Sequence, residues 1–291
     1  MSLYKIGQIA LLSCVFLSAC TIKQYQPAWQ EPEQTATGQE AKPSFDEIRK
    51  NLEKTASPED IRTAISALQR VVAGDPEHRT ALAFLGNLHI LLGTAYSIDS
   101  EEKAAHFRLA MHFCEMSMYV NHHFRAAVLA GEKPWEAART LQAEDALAML
   151  FWVTALQYEF KEVMTLAEKI VNVGWLRHTI TFLDRITETA PDFGGGAVEF
   201  AYAISYSALP YALGGDSQVG LSYLEKSLAK GQGYLLPTWG RGKYFHQVTG
   251  DFRTARQDLR WVSEQNFEDY KDFYPWRIHF ITDAALQLKS L

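Results

Sequence analysis

Gly215-Asp216-Ser217-Gln218-Val219-Gly220-Leu221-Ser222-Tyr223-Leu224-Glu225-Lys226-Ser227-Leu228 reads as a turn followed by a helix. Small Gly220, large Leu224 and small Ser227 come after the turn glycine at +5, +9 and +12, a spacing that puts them on one helical face. A small residue there lets the helix approach its predecessor closely, and the large one fills the groove beside it. The same frame recurs along the chain. Gly250 is followed by Asp251, Ala255, Leu259 and Val262, with Trp239 eleven residues ahead of it. Gly174 is followed by Thr179, Leu183 and Ile186, then Pro191. Pro76 implies Ala64, Leu68 and Val71 before it, and Leu82, Gly86 and Gly93 suit the first helix of the next unit. The three glycines are separated by 41 and 35 residues.

These spacings resemble the tetratricopeptide (TPR) repeat, whose period is about 34 residues. The departures are Ser227 and Val262 in place of Ala and Lys243 in place of the first-helix Gly, and the segment from Asn121 to Leu147 fits no unit. The remaining punctuation is helical. Ser44-Phe45-Asp46-Glu47 has the form of a capping box. Ser57-Pro58-Glu59-Asp60 adds Pro at the first helical position, where its missing N–H costs nothing. Ser100 and Asp251 mark similar starts. Gly93, Gly174, Gly214-Gly215 and Gly250 fall where left-handed caps are wanted. Thr179-Ile180-Thr181-Phe182 is the one β-branched run, and it sits inside a longer helical period. The expected fold is all-α, an irregular bundle of TPR-like helix-turn-helix pairs.

The composition is that of a globular chain, with 47% hydrophobic and 21% charged residues. A chain of 291 residues can bury a sizeable core without disulfide or metal. The net charge of −6 argues against a nucleic-acid partner, which needs cations to displace counterions from phosphates. The N-terminus is more specific. Lys5 precedes the apolar run Ile9–Leu17, too short to span a bilayer and proportioned like a secretory leader. Leu17-Ser18-Ala19-Cys20 then resembles a bacterial lipobox. That resemblance implies cleavage before Cys20 and acylation of the cysteine, and Thr21, which is not Asp, favours the outer membrane. Cys114 is then the last free thiol, expected to be buried and inert. Residues 21–43 are rich in Gln, Glu, Pro, Thr and Ala without apolar period, which predicts a disordered tether reaching roughly 25 Å. The expected organisation is a leader over 1–19, a lipidated tether over 20–43 and one all-α domain over 44–291.

Lipobox, tether and degenerate TPR pairs occur in order with Ala148–Leu156, Ala190-Pro191-Asp192-Phe193-Gly194-Gly195-Gly196-Ala197 and Leu209-Pro210-Tyr211-Ala212-Leu213-Gly214-Gly215-Asp216. Together they resemble the TRAP-transporter-associated TPR lipoproteins, the TatT family, over roughly residues 61–288. The resemblance implies a periplasmic, non-enzymatic, lipid-anchored protein that partners the transporter's solute-binding protein. That partner captures a small carboxylate or hydrophobic ligand. It further implies a hollow through the helical body and homo-oligomers. The alternative is a general TPR scaffold lipoprotein serving envelope assembly.

The residues themselves point away from catalysis. No Gly-x-Ser-x-Gly elbow occurs, and nothing around Cys114 would lower its pKa. His112 and Cys114 lie two apart, His122 and His123 are adjacent, and His-Glu-x-x-His is absent, so neither metal nor cofactor is expected. Gly194-Gly195-Gly196 follows no strand; it opens a helix either as a tight turn or as an anion site. The stretch Ala197–Leu213 is apolar almost all round, as a helix is when it is fully buried or lines a cavity. Inner-face positions of the first helices include Asn87, Tyr202, Ser205 and Tyr244, the candidate ligand residues. Trp239 is assigned to the core.

Overall fold

The computed structural model describes residues 22–30, 44–54 and 56–291. The leader, Cys20 and residues 31–43 lie outside the described residues. The fold is all-α, with no strand among the described residues and no helix long and apolar enough to cross a membrane.

Helix α1 (Phe45–Leu52) opens on the capping box at Ser44, and α2 (Pro58–Gly74) is capped by the Ser57 hydroxyl, which accepts from the Asp60 N–H at 3.1 Å. Then come α3 (Arg79–Leu91) and α4 (Ser100–Tyr119). The cap of α4 is Asp99 rather than Ser100; its carboxylate accepts from the Glu101 and Glu102 N–H groups. After α5 (His122–Leu129) and a single turn at Pro134–Ala137 come α6 (Ala146–Tyr158), α7 (Leu166–Asn172) and α8 (Leu176–Thr189). The chain ends with α9 (Ala197–Ala208), α10 (Ser217–Lys230), α11 (Leu236–Gly240), α12 (Phe252–Ser263) and α13 (Tyr274–Ser290).

Neighbouring helices pack as pairs, α3 on α4, α9 on α10, and α12 on α13. Small residues set the closest approaches. A Cβ at Gly86 would come within 2.5 Å of Cys114 Sγ and 3.1 Å of the Ala110 carbonyl, and one at Gly220 would collide with Ser207. Burial pushes the Cys114 thiol up, as expected of an inert cysteine. Ser227, which replaces Ala in the repeat frame, is fully buried and donates to the Gly196 carbonyl at 2.7 Å. That bond ties α10 to the turn before α9. All three glycines of that turn have positive φ, so the triple-Gly stretch is the tight turn into α9. In the Gly250 frame, Ala255, Leu259 and Val262 are fully buried. Ala255→Phe should overpack that interface and cost about 1–3 kcal/mol, read from the denaturant midpoint; an unchanged midpoint would contradict the frame.

The segment from Asn121 to Leu147 departs from the pairs, as expected. Asn121 caps α5, and its amide donates to Asp145 at 2.8 Å, which also accepts from the Gln142 N–H.

Four further expectations are corrected. Gly93 does not cap α3: the helix continues into a π-helical turn (Leu92–Tyr96), and a Cβ at Gly93 would meet the Phe107 ring at 2.7 Å. Gly174 is not left-handed; it lies in a 3-10 turn (Val173–Trp175) leading directly into α8. The apolar stretch Ala197–Leu213 is not one helix, because Pro210 holds Leu209 extended and α9 stops at Ala208. Finally, residues 22–30 are not part of a free tether. Trp29 stacks on Tyr119 at 5.2 Å, Ala28 is buried, the Tyr25 ring meets Trp135 edge-on, and Lys23 pairs with Glu159 at 2.6 Å. Average composition concealed these few anchors.

Candidate functional site

Three π-helical turns occur among the described residues, and their side chains meet at one interior seam. Each extends the C-terminal end of a helix: Leu92–Tyr96 after α3, Glu159–Val163 after α6, and Arg241–His246 after α11. A π turn adds a residue to the helical repeat and rotates the next side chains onto a different face, and such turns concentrate at functional sites. Here the first supplies Thr94, the second Glu162, and the third Lys243 and Tyr244. The Thr94 hydroxyl donates to Glu162 at 2.7 Å, and Lys103 from α4 donates to the other oxygen of the same carboxylate at 2.6 Å. Lys161 lies 5.8 Å above the Tyr244 ring, linking the second turn to the third.

The last helix closes the other side. Asp283 of α13 accepts from Lys243 at 3.0 Å and from the Trp239 indole at 2.8 Å. Lys243 also sits over the Trp239 ring at 4.8 Å. About two helical turns earlier on α13, Trp276 stacks near-parallel on Tyr158, 6.5 Å between centroids, and its indole donates to Asn87 at 2.8 Å. The seam thus alternates lysine–carboxylate pairs with aromatic faces.

Burial governs the titration of its polar groups. The Tyr158 and Tyr244 phenols are pushed up, by desolvation first; nearby Glu162 raises both. His279 is pulled down to about 4, by burial first and then by Lys243, so its imidazole is neutral at pH 7. The Tyr244 hydroxyl is engaged with the Tyr158 phenol, whereas the sealed His279 Nε2 has no hydrogen-bond partner among the described residues. A buried polar group left in that condition costs about 1–3 kcal/mol, which a bound polar ligand would recover.

The candidate ligand residues divide. Asn87 and Tyr244 join the seam. Tyr202 and Ser205 lie at the packed interface of α9 with α8 and α6, with their hydroxyls already engaged. Tyr202 donates to Asp184 at 2.6 Å; Ser205 pairs with Thr179 at 2.6 Å and accepts from Gln157 at 3.0 Å. Trp239 is fully buried, as assigned, and its indole also reaches the seam. Sequence reading missed Thr94, Lys103, Glu162, Trp276, His279 and Asp283. Lys243 was visible only as an odd cation where the repeat wants Gly. No period in the sequence marks a π turn, so the convergence was hidden.

Away from the seam, a polar pocket of about 130 Å³ lies under residues 22–30, the N-terminal strap. There Glu115 of α4 accepts from the Trp152 indole at 3.0 Å, the Tyr25 hydroxyl at 3.0 Å and the Ala28 N–H at 3.4 Å.

No family model matches the chain, and a search of curated proteins finds no match either.

Proposed function

We propose that the chain is a lipid-anchored, TPR-like periplasmic protein that partners the solute-binding protein of a TRAP transporter, and that the seam receives the transported small molecule. The reading is of a binding protein without catalysis. The observation that carries the ligand site is the convergence of three π turns on a seam where His279 Nε2 is buried without a hydrogen-bond partner among the described residues. Lys161 supplies positive charge beside the Lys103–Glu162 and Lys243–Asp283 pairs, while Tyr158, Trp276 and Tyr244 supply apolar faces. That combination suits a small carboxylate with an apolar body. The partner and the membrane anchor rest on the sequence resemblance.

The test mixes the mature chain, strap included, with the solute-binding protein of a TRAP transporter, at micromolar concentration. A complex should form, and Tyr244→Phe should leave it intact while weakening ligand transfer about 5- to 30-fold, the loss of one buried hydrogen bond. Transfer unchanged in a folded Tyr244→Phe complex would remove the seam from the proposal. Failure to form any complex would favour the envelope-assembly scaffold instead.

A further inference from the structure

Helix α7 turns its apolar side chains outward. Leu166 is 76% exposed, Ile170 66% and Val171 46%, while its one buried residue is polar, Asn172. Leu166 and Ile170 are one turn apart, so they share a face. A short helix arranged this way exposes an apolar patch for which the fold itself has no use.

The strap determines what lies beside this patch. The Lys23 N–H donates to the Asn172 side chain at 2.6 Å, and Lys23 Nζ pairs with Glu159 at 2.6 Å. Ile22, 67% exposed, is therefore held at the end of α7. Cys20 is two residues earlier, and two residues of chain span at most about 7 Å whatever their conformation. An acyl chain on Cys20 would therefore start within that reach of Ile22, well short of the roughly 25 Å that a free tether would allow.

The charges around α7 agree. Lys161, Lys169 and Arg177 border it without an ion pair among the described residues, against one carboxylate on the helix, Glu168, which the Thr165 capping box holds. Burial first, and then Lys161, pulls Lys169 down, so an anion placed between the two lysines would relieve their repulsion. The neighbouring turn Tyr211–Leu213 presents Tyr211 at 88% exposure, and Leu213 shares a shallow depression with Gly174 and Arg177. Tyrosine and lysine at an apolar rim are the residues that seat at a membrane–water interface.

We infer that α7, with Ile22 and Tyr211, forms a membrane-seating face that enters the surface of an anionic bilayer beside the acylated Cys20. This rests on the lipid anchor proposed above. The body then sits on the lipid in one orientation and does not swing on a leash.

The experiment uses the acylated full-length chain in vesicles of phosphatidylethanolamine and phosphatidylglycerol. Ile170→Cys carries an environment-sensitive fluorophore, with Glu264→Cys at the end of α12 as the control position. The label at 170 should gain several-fold in emission and be quenched by doxyl lipids, and the label at 264 should not. Adding Leu166→Asp should abolish the quenching while incorporation of labelled palmitate at Cys20 stays unchanged. An acylated chain whose label at 170 remains in water would overturn the inference and leave the anchor standing. A label shielded equally in detergent, without vesicles, would assign the face to a second copy or another protein and overturn it too. A chain that takes up no palmitate would overturn the anchor and this inference together.

Discussion

Trp276→Ala is expected to lower stability by about 3 kcal/mol, the low end of the range for deleting a large aromatic, because the ring is only half-buried. The size of the effect comes from position. Trp276 packs against three separate hydrophobic clusters: the central one of α4, α6 and α8, the N-terminal one of α1–α3, and the C-terminal one of α11–α13. Its indole also makes the hydrogen bond to Asn87, 189 residues distant. Removing it both opens a cavity and deprives a buried amide of a donor. Trp276→Phe keeps one aromatic ring and loses the N–H with the second ring, so it leaves a smaller cavity; about 1–3 kcal/mol should remain, mainly from the unpaired Asn87 amide. Denaturant midpoints for both variants give the check. If alanine costs no more than phenylalanine, Trp276 does not hold the two ends of the chain together.

The second large effect is a pH dependence centred on Glu115. Burial pushes its carboxyl from 4.5 up to about 7, against the opposing hydrogen bonds from Trp152, Tyr25 and Ala28 and the charge of Lys23. The unfolded chain releases this proton near the ordinary value, the folded chain only near neutrality. Between those two points the folded state binds more protons, so stability falls as pH rises through that window and stays lower above it. Glu115→Gln cannot ionise and still accepts a hydrogen bond. It should match the parent below about pH 4 and exceed it near pH 8 by on the order of 3 kcal/mol. Because Tyr25, Ala28 and Lys23 of the strap favour the ionised carboxyl, amide exchange over residues 22–30 should be no slower in Glu115→Gln than in the parent. Parallel stability curves for the two chains across this range would show that Glu115 is not the titrating group.

Much of the local structure was legible because its causes are local. Ser44, Ser57 and Asp251 cap helices where their side chains demand it, and Ala255, Leu259 and Val262 are buried on the face that their spacing defines. The errors have equally definite causes. Gly93 looked like a terminator because a glycine after an apolar run usually is one; it is small because Phe107, from another helix, lies against it. The strap looked like a tether because composition averages over a window, whereas docking needs only Tyr25, Ala28 and Trp29 in the right places.

By itself, then, the sequence determined that the chain is helical, where most helices begin, and which small residues bring paired helices together. Periodicity, capping and side-chain volume act over a few residues and need no distant partner to be read. Tertiary structure alone decided that three helices lapse into π turns, that those turns face one another, and that Trp276 reaches Asn87 across nearly the whole chain. It also decided that α7 shows its leucine and isoleucine to the outside. Each of these is set by which surface a helix is pressed against, and that surface is built from residues tens to hundreds of positions away.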